Sequence, residues 1–450
     1  MGCDSFVETD SKITEALYKR FKQIIDEYAP HYRSFLLAVS GGVDSITMLD
    51  LFKRLRLESN DIRIGVATYN HKLRPEADKE VEFVRDICIC ENIPFYTDSG
   101  NVIEYARLNK LSTEEAAREL RYSFLEATLK EHSYELIVTA HNANDLLETM
   151  ILRFAKGTGP FGLAGLKVMT KNRFRPLLFF TRHEIEEYAR IRNLRYAVDL
   201  SNFNENYERN FIRLSVVPLL RRINPRIEHA AISLAQSAWH LDNFVEKNLA
   251  NVQKYLVGSR LIFKLDKDSF LQKEQMRRTA LEFFGRPIDK EKIDRFSNSK
   301  SKSYKVSFWG NLGIEVSHGW VMMGDIKNYE NYCYDFIITS GDGNVIIQPK
   351  DEIEVSGYFI KFEVSGIILS AGYNVTGFKI RNWIEGDRTY EGKKLKDIFN
   401  DKKVPTFLRR LVPLVVIDER VVYVPDIYKS RFLENIGLRI VSKGGINFES

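Results

Sequence analysis

The segment Phe35-Leu-Leu-Ala-Val-Ser-Gly-Gly-Val-Asp-Ser45 constrains this chain more than any other. An apolar run of strand length passes into Ser40-Gly41-Gly42-Val43-Asp44-Ser45 and then into a helical pattern. Paired glycines let the backbone turn tightly and bring bare N–H groups against an anion, and the helix N-terminus that follows adds a favourable dipole. Ser40 and Ser45 can add hydroxyl donors. Asp44 is the odd member. A carboxylate repels phosphate unless a cation such as magnesium lies between them, and its other reading is an ordinary N-cap. The loop lacks the G-x-x-x-x-G-K spacing of a Walker loop.

Around this segment, short apolar runs alternate with amphipathic stretches through the first two hundred residues, the pattern of helices covering a parallel sheet. Strands are predicted at Phe35–Val39, Ile62–Tyr69, Pro94–Tyr96 and Leu136–Ala140. Capping boxes at Ser112 to Glu115 and Thr181 to Glu184 open two helices. From Asn224 the pattern turns helical through Ala230, Leu234, Trp239, Leu241 and Phe244, which sets a domain boundary there. The polar run Ser297 to Ser303 reads as a mobile loop, and strand-like alternation follows it. The expectation is an α/β fold in three parts: residues 1–223 with the parallel sheet, a mainly helical domain at 224–330, and a small α+β domain at 331–450. With 450 residues, 44% of them hydrophobic and 28% charged, the chain can bury several cores.

The start MGCDSFVETD shows no targeting signal, and the longest apolar runs, such as Leu411 to Ile417, are far too short for a membrane span. Cys3, Cys88, Cys90 and Cys333 form no C-x-x-C pair, so a reducing cytoplasm is the expected compartment. A net charge of +5 is compatible with a polyanionic partner without proving one.

Further segments carry candidate chemistry. Asn70-His71-Lys72-Leu73-Arg74-Pro75 follows the second strand, at the carboxyl end where ligands bind in open α/β sheets. Arg118 and Arg121 lie one turn apart and can reach one anion, or form a solvated basic face. His141-Asn142-Ala143-Asn144-Asp145-Leu146-Leu147-Glu148 follows the fourth strand. Asp145 and Glu148, three apart at a helix start, can hold an ammonium group and take its proton, or simply favour the helix dipole.

The Ser40–Ser45 loop resembles the SGGxDS signature of the ATP pyrophosphatase superfamily, whose members cleave ATP between the α and β phosphates. The later segments are similar to those of tRNA(Ile)-lysidine synthetases within it. These are Asn70 to Asp78, Glu115 to Tyr122, Ala140 to Thr149, Gly157 to Leu166, Arg175-Pro176-Leu177-Leu178, Asp199-Leu200-Ser201-Asn202, Tyr207 to Arg213 and Pro218 to Leu220. Asn144 stands where that family more often has an acid, Lys156 where it has Arg, and Leu166 where it has Met. The likeness runs through residues 31 to 224 and continues more weakly in Arg381 to Arg388 and Lys402 to Pro413. Residues 373–450 hold 15 Lys or Arg against 10 Asp or Glu, which together with Trp383 and Tyr390 suits an RNA-facing surface or a solvated basic face.

The resemblance implies a Rossmann-like adenine nucleotide α-hydrolase domain that binds ATP through Ser40, Gly41, Gly42, Val43, Asp44 and Ser45, with Asp44 on Mg2+. It implies catalytic roles for Asp44, Asp145, Glu148, His141 and Arg118. It implies tRNA contacts from Arg74, Arg121, Arg209, Arg213, Arg388, Lys403 and Arg409, although Asp199 and Arg209 could equally form a structural ion pair. The implied reaction joins free L-lysine to the wobble cytidine of the CAU anticodon of tRNA(Ile). The rivals are a tRNA thiolase of the same superfamily, disfavoured by Cys88-Ile89-Cys90, whose spacing suits neither zinc nor a cluster, and a noncatalytic RNA-binding protein. Oligomeric state stays open, a homodimer being one option.

Overall fold

The computed structural model describes residues 3–72, 77–197, 208–289, 291–294, 303–329, 378–435 and 438–444, together with short strands between 333 and 364. Arg74, Asp199 to Asn202, Tyr207 and the polar run 297–302 lie outside the described residues.

The chain divides into two compact units, Met1–Phe244 and Val245–Ser450. The first is built on a six-stranded sheet. Its strands are β1 (Ser34–Ala38), β2 (Arg63–Asn70), β3 (Phe95–Ser99), β4 (Leu136–Thr139) and the short pair β5 (Met169–Thr170) and β6 (Arg173–Phe174). The four expected strands are β1 to β4, each placed within three residues of its expected bounds. The order is β3-β2-β1-β4-β6-β5, with β2, β1, β4 and β6 parallel neighbours. Phe35, Leu36 and Leu37 are fully buried, as a central parallel strand covered on both faces requires.

Helices supply both covers. In chain order they run α1 (Cys3–Tyr28), α2 (Val43–Glu58), α3 (Ala77–Cys90), α4 (Val102–Asn109), α5 (Thr113–Glu131), α6 (Ala143–Ala155), α7 (Pro160–Leu163) and α8 (Arg182–Ile191). Phe35, Leu37, Leu136 and Val138 share a core with α1, α2, α6 and α8. Leu36 and Ile137 point the other way, onto Tyr122 and Leu125 of α5. Both expected capping boxes form, Ser112 with Glu115 and Thr181 with Glu184. Ser112→Ala is expected to destabilise the protein by about 1 kcal/mol in chemical denaturation, because the Glu115 N–H loses its acceptor.

The sheet order places the site. From β1 the chain steps to β2 on one side and later to β4 on the other, so β1 and β4 flank the point where strand order reverses. Loops leaving the carboxyl ends of those strands diverge and open a crevice. These loops are Ser40 to Gly42 and His141 to Asn142.

The helix Ile227–Leu249 opens the region that reads as helical in sequence. Its Ala231, Ile232, Ala235, Ala238 and Trp239 belong to the core of the first unit. In the second unit, Lys254–Val257, Arg260–Lys264, Trp320–Asp325, Leu312–Ser317 and Ser303–Trp309 form an antiparallel sheet in that spatial order. Region 224–330 thus carries two long helices, Ile227–Leu249 and Ser269–Phe284, and five strands besides. Both sheet faces are buried: Val321 and Met323 pack with Met276 and Ala280, while Trp320 and Met322 join Ile380, Leu395 and Leu414 to Ile417. Among the described residues no helix is long and apolar enough to cross a membrane.

Candidate active site

In the loop after β1, Gly41 sits at φ +88°, where an L side chain is strained. Gly42 has an ordinary backbone (φ −72°), and a Cβ there would meet only Ser40 Oγ, at 3.9 Å. Its use is therefore open space beside the backbone, a cradle of the kind a phosphate needs. Ser45 braces the loop: its hydroxyl donates to Gly42 O (2.9 Å) and accepts from Ser40 N–H (3.2 Å). Gly42 is the N-cap of α2, so Asp44 lies in the first turn and is not the cap.

Asp44 instead reaches across the crevice. Its Oδ1 accepts from Asn142 Nδ2 (2.9 Å), and its Oδ2 is ion-paired with Arg182 at the start of α8. Burial pushes its pKa up to about 6, against the pull of Arg182. One carboxylate beside a phosphate-sized cradle is the donor set that magnesium needs when nucleotide oxygens supply the rest, so these residues fit the ion.

Asn142 joins the two loops. Its Oδ1 caps α6 by accepting from Asn144 N–H (2.9 Å) and Asp145 N–H (3.2 Å), while Asp145 Oδ2 accepts from Asn142 N–H (3.0 Å). Asn144 donates to Glu228 Oε1 (3.3 Å) and accepts from Arg182 N–H (2.9 Å). An aspartate at 144 would oppose the buried carboxylate of Glu228, which is a physical reason for the amide.

Glu148 lies one turn beyond Asp145 and is 2% exposed. Arg209 and Arg213, expected as RNA contacts, have their guanidiniums on these two acids. Arg213 Nε meets Glu148 Oε1 at 2.7 Å, Arg209 Nε meets Oε2 at 3.1 Å, and Arg209 Nη2 meets Asp145 Oδ1 at 3.2 Å. A π-helical turn, Ile212–Val216, carries Arg213. Pro218 follows it and offers no N–H to the Leu214 carbonyl, so the helix widens there.

His141 donates to or accepts from Thr139 Oγ1 at 2.9 Å, and burial drives its pKa far below the ordinary histidine value. His71 is lowered to about 4, by burial and then by Arg121. Each imidazole stays neutral when folded but titrates near 6.5 when unfolded, so the unfolded chain binds the extra proton. Stability is therefore present above about pH 6.5 and is lost as pH falls from there toward 4. Urea denaturation at pH 7 and pH 5 is expected to show this loss, and His71→Asn to reduce it by about 1 kcal/mol.

Arg118 and Arg121 both approach the ring of Tyr122, at 5.1 and 5.2 Å. In the second unit, Arg388 and Lys403 are exposed. Arg409 corrects the expectation of an RNA contact: it is buried, donating to Val404 O (3.0 Å) and Asn400 Oδ1 (2.9 Å). The short 3-10 turn Leu408–Arg410 directs Arg409 inward and leaves Arg410 exposed. Trp383 and Tyr390 pack against Phe399 and Phe432. Sequence reasoning missed Arg182, Asn142 and Glu228, whose roles depend on partners far along the chain.

The strand order, the glycine cradle and the acid facing it define a PP-loop protein, and a PP-loop domain model matches residues 13–220. A model of the TilS substrate C-terminal domain matches residues 379–439. The tRNA(Ile)-lysidine synthase of Thermosipho africanus is 40% identical over 441 residues, covering 96% of this chain and 99% of that protein. That of Thermotoga maritima is 37% identical, covering 92% and 98%, and that of Clostridium perfringens (strain 13 / Type A) is 31% identical, covering 86% and 90%. The chain belongs to the tRNA(Ile)-lysidine synthase family and is an ATP-using enzyme. This membership does not favour the thiolase reading.

Proposed function

We propose that this enzyme ligates free L-lysine to C2 of the wobble cytidine in the CAU anticodon of tRNA(Ile), forming lysidine and releasing pyrophosphate and AMP. The observation that carries the reading is the continuous polar path from the loop to the acids: Ser40–Ser45 with Asp44, then Asn142, Asp145, Arg209 and Glu148. The loop amides would cradle the triphosphate, with Asp44 holding Mg2+, which supplies charge neutralisation at the phosphates. The cytosine O2 attacks the α-phosphorus and pyrophosphate leaves. The lysine ε-amine then attacks C2, the C2–O bond breaks, and AMP departs with the oxygen.

Asp145 and Glu148 would hold the lysine ammonium and accept its proton, which requires Arg209 and Arg213 to share those carboxylates with the substrate. Arg118 would bear on phosphate charge or grip RNA, and His141, neutral and half-buried, would contact the nucleotide or base. Residues 224–330 and 331–450, with Arg388 and Lys403 exposed, would grip the tRNA outside the anticodon. The test is incubation with ATP, magnesium, radiolabelled lysine and an unmodified tRNA(Ile) transcript. ATP-dependent incorporation that disappears when the wobble cytidine is changed is expected. AMP formation without lysine incorporation would overturn the choice of nucleophile.

A further inference from the structure

Beside His141 lies a group of polar side chains that, Arg118 apart, the ligation chemistry leaves unused. Tyr122 of α5 is 6% exposed, and arginines crowd it. The guanidinium carbon of Arg173 lies 3.9 Å from its ring centroid, that of Arg118 at 5.1 Å and that of Arg121 at 5.2 Å. The charge of Arg175, itself 5% exposed, also acts on the phenol. Against these cations, Glu126 on Arg173 at 2.6 Å is the one carboxylate partner found among the described residues. Arg175 spends one N–H on Lys167 O.

The hydrogen bonding is incomplete as well. The Tyr122 hydroxyl, Nε of Arg173, Nε of Arg175 and Nδ1 of His71 are all buried without a hydrogen-bond partner. Arg121 and Arg175 lie near enough to the phenol oxygen to act on it, yet no bond of good geometry joins them. Burial lowers the pKa of both arginines, as expected for guanidiniums with too little negative charge around them. Burial would raise the Tyr122 pKa, but Arg121, Arg118, Arg175 and Arg173 together bring it below the ordinary value. Buried donors and like charges that lack acceptors and counter-charge are costly. An oxyanion with several acceptor oxygens satisfies them together.

The nucleotide's own phosphates are poorly placed to be that anion. The loop leaves β1, whereas Arg173 and Arg175 flank Phe174 of β6, two strands away across β4, or about 10 Å. The α5 side chains lie on the sheet face opposite the one that packs against α2. Exposed Arg118 leads from this cluster to solvent. We propose that Arg118, Arg121, Arg175 and the Tyr122 hydroxyl form a phosphate subsite that takes one phosphodiester of the RNA strand adjoining the reacting nucleotide. This assignment rests on the tRNA reading above. Its consequence is that the RNA backbone is clamped on one side of His141 while ATP is held on the other.

Equilibrium binding of the unmodified tRNA(Ile) transcript, measured without ATP over a range of KCl concentrations, tests it with Arg118→Gln, Arg175→Gln and Tyr122→Phe, alongside KM for ATP. Each arginine variant is expected to bind about tenfold more weakly and to lower the slope of log affinity against log salt by about 0.7, the signature of one lost phosphate contact on a single strand. Tyr122→Phe keeps the ring among the guanidiniums and removes only a neutral donor, so binding should weaken about threefold with the slope unchanged. Should Arg175→Gln fail to fold, the exposed Arg118→Gln and the near-isosteric Tyr122→Phe still decide. Unchanged tRNA affinity and slope in the folded variants would overturn the subsite. A raised KM for ATP with unchanged tRNA binding would give the pocket to the nucleotide and overturn the RNA assignment. A separate arm measures the thermal midpoint in inorganic phosphate, expected to rise more in the wild type than in Arg175→Gln. If the wild type shows that rise but does not bind the transcript, the tRNA reading has failed rather than the anion site.

Discussion

Asp44→Asn is expected to lower ATP-dependent AMP formation by about 10²–10³-fold while leaving the protein at least as stable as the wild type at pH 7.5. The two halves of this expectation come from one observation. A carboxyl whose pKa rises from 3.8 to about 6 is held in its charged form at a cost of about 3 kcal/mol. Its side chain is 22% exposed, so little of that cost is relieved by solvent. The sign follows: with the folded pKa above the unfolded one, the group opposes folding above about pH 6, and the penalty fades as pH falls toward 3.8. Asparagine keeps the shape and the acceptor for Asn142 and removes the charge. A residue that were merely structural would gain from the exchange, so the retained charge points to use. The loss of rate is what removing one preorganised electrostatic group from a reacting centre costs. Activity within about tenfold of wild type, measured as AMP released from labelled ATP, would remove Asp44 from the machinery. A fall in denaturation midpoint would show that its ion pair with Arg182 is structural after all.

The parts of this molecule that were legible in its sequence are those whose physics is local. A strand, a glycine turn and a helix start occupy eleven consecutive residues, and the capping boxes at Ser112 and Thr181 are four-residue patterns, so β1 to β4, α2, α5 and α8 could be placed. The acids at 145 and 148 were legible as candidates, since their spacing puts them on one face. Their partners were not: Arg209 and Arg213 return to them across more than sixty residues, and nothing near either arginine announces a carboxylate. The capping role of Asp145 was hidden because its box pairs Asn142 with Asp145, whereas the usual signature is Ser or Thr with Glu or Gln, and the functional reading of the acid absorbed it. Arg409 failed on phase. Arg409 and Arg410 are neighbours on a tight turn, one facing inward and the other out, and sequence alone does not say which. Arg175 stands directly ahead of the apolar run Pro176 to Phe180, but Lys171 and Arg173 just before it hide which of the three cations is buried.

Glu148→Gln is expected to destabilise the protein by about 1–3 kcal/mol, solvent at the two arginines relieving part of the cost of a fully buried pair, and to abolish lysine incorporation, and a mutant cycle can separate the two effects. Glu148 is 2% exposed and meets both guanidiniums, so its neutral amide leaves Arg209 and Arg213, which are 33% and 38% exposed, sharing the single charge of Asp145. Removing one cation at the same time restores the balance. Glu148→Gln with Arg213→Gln should therefore cost less than the sum of the single substitutions by about 1–3 kcal/mol in chemical denaturation. Additivity would mean that the close contacts carry little coupling. Activity should not recover with stability: if Glu148 holds the lysine ammonium, the double variant folds better than Glu148→Gln alone and still fails to incorporate lysine, while it continues to form AMP in the presence of the tRNA transcript. Asp145→Asn gives the complementary case. Its side chain is 20% exposed, and asparagine can still accept the Asn142 N–H, so the fold should lose only about 1 kcal/mol. A rise of about tenfold or more in KM for lysine, with KM for ATP unchanged, would place Asp145 on the amine; equal changes in both would leave it as Asn142's partner in the capping box and nothing more.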